Sequence, residues 1–410
     1  MNRCYATIAD FFEHLFGVKI GIFEPLQTFG FFMGLAFAVA ALILKWQLKR
    51  KEAQNLFKVQ TKKIEIGKPA TYSQIASNAL FGFVVGFKAI YGLMNFSACK
   101  ADAQSFVLSL DGSWLGGLVF AAAFGFFRYW EKNKQKLTKP KIETRQILPS
   151  DLIMDYVVVA AITGILGAKI FTFFETPNSW GKFMDDPAGM LLSLGGLTIY
   201  GGLIGGAAGI IWYLVKRKIS LLHFADAVAP PLIAAYAVGR MGCELSGDGD
   251  WGIPVRTEKP NLLSWLPDRF WKFDYPFNVN KDCAPYDAYY TDNPALGPEC
   301  KWTEVQALVE PVFPTPIYEI FMCLIIFGIL IWVGKKFLVP GIVMATYLVL
   351  NGIERFLIER IRVNPRFDIG GLELNQAEII SPIFVIGGIV LGVFAWKRWK
   401  QNNAAAKKLQ

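Results

Sequence analysis

Arg240, Glu319, Arg355 and Glu359 interrupt or border stretches that are otherwise apolar. Ionisable side chains in such surroundings are costly and mark functional sites. Arg355 and Glu359 are four residues apart, so a helix places them on one face. Arg240 lies between Gly239 and Met241-Gly242, and Glu319 follows Tyr318. Lys169 adds a cation, and Tyr200 adds a phenol between Gly195-Gly196 and Gly201-Gly202. A guanidinium presents a planar fork of donors matched to phosphate. Two of them in an apolar cavity suit the head group of an anionic phospholipid. The glycines around Tyr200 permit close approach by a lipid or by backbone. The structural alternative pairs Arg355 with Glu359 and lets the terminal arginines snorkel to the interface. His223 reads as an interfacial histidine, and Cys243 as a packing residue, because no base stands near it in sequence.

The elements that must position these residues follow from length. A membrane-crossing helix needs about 20 predominantly apolar residues. Such stretches occupy 23–44, 78–98, 112–128, 152–174, 190–215, 221–240, 316–334, 340–361 and 377–396, about nine in all. The predicted fold is therefore all-α, a polytopic helical bundle in the membrane. Lys and Arg gather in alternate connections: 45–77, 128–149, Lys216-Arg217-Lys218, Lys335-Lys336 and the tail from Lys397. Positive charge marks the cytoplasmic side, which sets the N-terminus outside and the C-terminus inside. Arg240, Glu319, Arg355, Glu359, Lys169 and Tyr200 then fall toward the outer side. Asp226 and His223 fall near the cytoplasmic end of their span. Removing 78–98 and 112–128 together leaves seven spans and the same orientation.

The predicted divisions are an interfacial segment and first span (1–44), an extra region with basic loops and two spans (45–150), and central catalytic spans (151–240). An external subdomain (241–315), three C-terminal spans (316–396) and a basic tail (397–410) complete the chain. Segment 1–22 alternates polar and apolar residues at roughly helical spacing, which fits a helix lying on the outer membrane surface and equally an ordinary ordered tail. The first 20 residues contain Asp10 and Glu13 and lack the pattern of a cleavable leader. Cys283 and Cys300 share the external segment, where an oxidising compartment permits a disulfide.

Composition excludes several classes. Of the 410 residues 53% are hydrophobic and only 18% charged, below the roughly 25% of soluble domains. The formal charge of +9 lies in short segments between apolar runs, which argues against nucleic-acid binding. Six scattered cysteines fit neither a disulfide scaffold nor a zinc site, and His14 and His223 are too far apart for a histidine metal centre.

Several stretches now combine. They are Gly195-Gly196-Leu197-Thr198-Ile199-Tyr200-Gly201-Gly202-Leu203, Asp226 with Ala229-Pro230, and Gly239-Arg240-Met241-Gly242. Gly247-Asp248-Gly249-Asp250-Trp251-Gly252, Pro314-Thr315-Pro316-Ile317-Tyr318-Glu319, and Arg355 with Glu359 complete the set. Their order and spacing resemble the bacterial prolipoprotein diacylglyceryl transferases over roughly 150–396. The resemblance implies transfer of a diacylglyceryl group from phosphatidylglycerol to the lipobox cysteine thiol of a preprolipoprotein. A thioether forms and glycerol phosphate leaves, in the first step of lipoprotein maturation. The implied setting is the bacterial inner membrane, with the site toward the outer leaflet, no metal and no cofactor. By position, Arg240 and Arg355 match the family's essential arginines and Glu359 the acid one turn on. Asp248 takes the place of the family's glutamate, with Asp250 a competitor because this turn is one residue longer. Gly252 matches the turn glycine. Tyr200 stands at the catalytic position, and Lys169, Gly201, Gly202, Tyr318 and Glu319 are assigned to the lipid.

Three departures leave the general base open. Tyr200 stands where the family has His, Cys243 where it has Asn, and Phe313 where it often has His. A phenol with a pKa near 10 is a poor base, whereas a substrate thiol near 8.5 can ionise in a positive cavity without one. Two other functions compete. A lipid transporter or flippase also carries intramembrane charge, but no inverted repeat is visible. An inactive membrane scaffold is the third reading.

Overall fold

The computed structural model describes residues 3–409 except 102–105, 107–108, 138–140, 176–178, 188–197, 285–300, 365–366 and 370–371. Gly195, Gly196, Leu197 and Cys300 lie outside the described residues. The long helices are α2 (Thr28–Ala53), α3 (Tyr72–Met94), α4 (Trp114–Lys134), α5 (Ile153–Glu175) and α6 (Ile199–Lys216). They continue as α7 (Leu221–Ser246), α8 (Thr315–Lys336), α9 (Ile342–Glu359) and α10 (Gln376–Leu409), after a short α1 (Ile8–Phe16). Each expected span thus has a helix. Among the described residues six are long and apolar enough to cross a membrane by length and composition: α2, α3, α5 with its leading turn, α7, α8 and α10. The protein is a helical, multi-pass membrane protein.

Boundaries differ from expectation where charge or glycine decides. Lys and Arg extend α2 to Ala53 and α10 to Leu409, because long basic side chains are good helix formers. The tail expected after 397 is therefore helix. Beyond Arg240, α7 runs on to Ser246 and stops at Gly247, whose φ of 63° serves as a left-handed cap. The basic connections on either side of the extra spans are not plain loops. Gln60–Ile66 (β1) pairs antiparallel with Lys141–Ile147 (β2), Gln60 opposite Ile147. A second ribbon joins Phe367–Ile369 (β3) to Leu372–Leu374 (β4).

The chain folds as two compact units, residues 57–217 and residues 1–56 with 218–410. In the first, α3 packs on α4 and α5 on α6. Lys88, an ionisable residue inside the expected span 78–98, points its ammonium at residues ahead of α4. It donates to Phe106 O at 3.1 Å, Ser109 Oγ at 3.1 Å and Asp111 O at 2.8 Å. An ammonium with its donors engaged is tolerated among apolar neighbours.

In the second unit α7 packs against α2, α8 and α9, and α9 packs against α10. Its core comprises Ala229, Ile233, Ala237, Cys323, Ile326, Leu330, Val333 and Val343. Asp226 accepts from Gly341 N at 2.8 Å and Met344 N at 3.0 Å and lies 3.7 Å from Lys51 Nζ. It thereby satisfies free amides at the start of α9 and ties α2, α7 and α9 together. The segment after α7 forms a cluster of its own from Trp251, Phe273, Tyr275, Leu308 and Val312, joined by Cys4. Cys283 is disulfide-bonded. The N-terminal segment docks here: Cys4 N donates to Pro276 O and Tyr5 N to Leu245 O, both at 2.7 Å. It leads into α1, which opens on a Thr7–Asp10 capping box and closes at Gly17.

Candidate active site

Helix α7 carries Tyr236, Arg240 and Cys243 on one face, as spacings of four and three require. Helix α8 brings in Glu319 in its second turn, and α9 brings Arg355 and Glu359 near its C-terminus. The turn after Gly247 returns Asp250 to the same place, and Arg362 follows α9. Gly252 is fixed by close packing. Its N–H donates to Phe313 O at 2.8 Å, and an added Cβ would stand 2.6 Å from Ile361 O.

These side chains form one ionic cluster. Glu319, fully buried, lies at its centre. Its Oε2 is 2.9 Å from Arg240 Nε and its Oε1 3.1 Å from Arg355 Nη1. The Arg240 contact is off the N–H axis, so it acts through charge more than through a hydrogen bond. The Tyr236 hydroxyl donates to Glu319 Oε1 at 2.5 Å and accepts from Arg355 Nη1 at 2.9 Å and Arg240 Nη2 at 3.5 Å. A hydroxyl has one proton and two lone pairs, and here all three are used. Arg355 Nη2 also reaches Glu359 Oε2 at 3.6 Å, and Glu359 accepts from Asn364 Nδ2. Asp250 is bound through one oxygen by Arg240 and through the other by Arg362. Its backbone carbonyl accepts from Thr315 Oγ1 at 2.8 Å. Burial pushes the Arg362 guanidinium down to about 10, with the charge of Arg240 acting in the same direction.

The structure therefore brings together Arg240, Glu319, Arg355 and Glu359. Of the two aspartates in the turn, Asp250 bridges two arginines. Asp248 lies against the Cys243 thiol, and burial raises its carboxyl above the usual value while the thiol, Arg240 and Arg362 oppose that rise. Cys243 touches more than a packing role needs, at 3.6 Å from Arg240 Nη1 and 3.3 Å from Asp250 Oδ2. Ligand atoms of Cys243, Asp248 and Asp250 lie within 4.8 Å of one another. Both Asp250 oxygens already face guanidinium groups, which would repel a cation bound there. Glu354, next to Arg355, is buried, and among the described residues neither carboxyl oxygen has a hydrogen-bond partner.

Other expected residues stand differently. The Tyr318 hydroxyl donates to Phe270 O at 2.8 Å and so anchors the segment after α7. Lys169 and Tyr200 belong to the other compact unit, on α5 and α6. There Gly201 faces α5: an added Cβ would lie 2.5 Å from Phe171 Cβ and 2.6 Å from Gly167 O. The close approach that its lack of a side chain permits is that of a neighbouring helix, as in small-residue packing of membrane helices. Gly202 faces the same helix more loosely: a Cβ added there would lie 3.7 Å from Gly164 O. Sequence reasoning passed over Tyr236 and Arg362. The four-residue spacing from Tyr236 to Arg240 and the seven-residue spacing from Arg355 to Arg362 are the signals that point to them.

Residues 113–394 match the family model described as prolipoprotein diacylglyceryl transferase. The match starts ahead of the resemblance seen in the sequence from about 150 and takes in α4, which had been set apart as extra. Curated proteins named phosphatidylglycerol–prolipoprotein diacylglyceryl transferase are similar to this chain. That of Corynebacterium diphtheriae is 28% identical over 254 residues, covering 62% of this chain and 80% of the relative. That of Corynebacterium efficiens is 31% identical over 256 residues, covering 62% and 71%. That of Leptospira interrogans is 27% identical over 314 residues, covering 66% and 86%. With the family model spanning well over half its length, the chain belongs to the prolipoprotein diacylglyceryl transferase family.

Proposed function

We propose that the protein transfers the diacylglyceryl group of phosphatidylglycerol to the lipobox cysteine thiol of a preprolipoprotein at its signal peptide. The observation that carries this reading is the convergence of Arg240 and Arg355, from different helices, on the buried Glu319–Tyr236 pair. The sulfur attacks the glycerol carbon that bears the phosphate. A C–S bond forms, the C–O bond breaks with its electron pair passing to the phosphate oxygen, and the thiol proton is released. Arg240 and Arg355 stabilise charge growing on the departing glycerol phosphate. Glu359 orients Arg355, and Gly252 holds the turn that carries Asp248 and Asp250 against the arginines. Holding thiolate and carbon together lowers the barrier further. Tyr200 and Lys169 enter this reading from the sequence, as an intramembrane phenol and cation, Tyr200 in the catalytic step at the position where the family has His and Lys169 toward the lipid. Without a histidine, the substrate thiol, with a pKa of about 8.5 in water, is the group that loses its proton. The guanidinium groups of Arg240, Arg355 and Arg362, each paired with a carboxylate, stabilise the thiolate by local contact rather than by net charge.

The site belongs on the outer side of the bacterial inner membrane. The alternation of basic connections supports this orientation. So does the docking of the N-terminal segment on Leu245 and Pro276, which puts the N-terminus beside the segment expected outside. The deciding experiment incubates the purified protein in phosphatidylglycerol-containing micelles with a lipobox peptide. A peptide gaining one diacylglyceryl group, with glycerol phosphate released, is the expected result. Absence of product from folded protein would refute the assignment and leave a scaffold.

A further inference from the structure

The cluster holds three guanidinium groups, Arg240, Arg355 and Arg362, each already against a carboxylate: Asp250, Glu319 or Glu359. Glu354 and Asp248 lie near it as well. Among the described residues no positive charge is left over for an incoming phosphate. An anion enters such a site only if a carboxylate gives way, since like charges in one buried pocket repel strongly. The three paired acids differ in how readily they move. The Glu319 side chain is 0% exposed and Glu359 1%, whereas Asp250 is 27% exposed and stands on a turn. Asp250 and Glu319 each bridge two guanidinium groups with their two oxygens, as two phosphate oxygens do when bound between arginines. Asp250 bridges those of Arg240 and Arg362, and Glu319 those of Arg240 and Arg355. Of these two bridging acids Asp250 is the one that is partly exposed.

We propose that the Asp250 carboxylate occupies the phosphate subsite of the resting enzyme, and that the substrate phosphate binds between Arg240 and Arg362 by displacing it. The inference rests on the diacylglyceryl-transfer reading and assigns the lipid phosphate a place within it. Displacement needs only rotation of the side chain. The backbone of the turn is held by Thr315 on Asp250 O, by Phe313 on Gly252 N and by the buried Trp251. The displaced carboxylate turns toward solvent, so the site exchanges one anion for another and keeps its charge balance. Arg362 becomes a substrate-binding residue alongside Arg240.

The test compares the wild type with Asp250→Asn, which keeps the shape and removes the competing charge. The affinity for phosphatidylglycerol in nanodiscs is measured together with inhibition by free glycerol phosphate. Binding of both is expected to tighten about tenfold in Asp250→Asn, and Arg362→Gln is expected to weaken both at least tenfold. Tightening for the lipid alone places the gain in acyl-chain contacts and overturns the phosphate assignment. Unchanged or weaker binding in a folded Asp250→Asn protein overturns it as well, and makes Asp250 an aligning group for the arginines. Asp250→Ser is the second variant, because the backbone contacts of the turn do not depend on the side chain. A wild type that fails to transfer refutes the function itself. A wild type that transfers, with Asp250→Asn binding no tighter, refutes this inference alone.

Discussion

Glu319→Gln tests whether the buried carboxylate holds the two arginines through its charge. The substitution keeps volume and one carbonyl acceptor but removes the negative charge at 2.9 Å from Arg240 and 3.1 Å from Arg355. Removing one partner of a buried ion pair costs about 3–5 kcal/mol. Arg240 keeps Asp250 and Arg355 keeps Glu359, so the lower end, about 3 kcal/mol, is expected. Tyr236→Phe removes a hydroxyl that donates to this carboxylate at 2.5 Å. A hydrogen bond to a charged group contributes about 1.5–3 kcal/mol, and a neutral one about 0.5–1.5. The loss from Tyr236→Phe should therefore shrink by about 1 kcal/mol when Glu319 is already Gln. Equilibrium unfolding of the single and double variants in mixed micelles measures each term, and transfer to a lipobox peptide measures activity. Activity should fall by about 10²-fold in Glu319→Gln as the arginines lose alignment. A Glu319→Gln protein within 1 kcal/mol of wild type, or strict additivity with Tyr236→Phe, would refute charge pairing as the organising contact.

Tyr200→Phe should lower transfer about 10²-fold if the hydroxyl takes part in the chemistry; rates unchanged across pH 6–9 would remove it from the mechanism. Asp248→Asn should raise the unfolding temperature at neutral pH. Burial raises the folded-state pKa of Asp248, so the native protein binds its proton more tightly than the unfolded chain. Stability is then lost as pH rises from the ordinary aspartate value through the raised one. The advantage of Asn should vanish at pH values below about 3.9, where both states are protonated, and an equal gain at all pH values would contradict this. Reporters fused after Gln60, Pro140 or Lys400 should read cytoplasmic, and one fused after Arg269 should read external. A cytoplasmic Arg269 would put the arginine cluster on the wrong side to meet a translocated signal peptide.

The linear pattern determined what depends on local composition and period. Apolar stretches about 20 residues long correspond, among the described residues, to nine helices near their expected places, because span length is set by bilayer thickness. The four-residue spacing of Arg355 and Glu359 put them together, because helix geometry is local. Burial of charge in apolar surroundings also marked Arg240 and Glu319 before any contact was known. Contacts across helices were decided by the tertiary structure. That Glu319 lies between two arginines, and that Asp250 reaches Arg240 and Arg362 while Asp248 turns to Cys243, depends on helix rotation and on the path of one turn. Neither has a period in the sequence. The glycines around Tyr200 show the same division. Sequence established that a lipid or a backbone has room to approach Gly201 closely, but only packing could show that it is the backbone and Phe171 side chain of α5, because a missing side chain specifies a space and not its occupant.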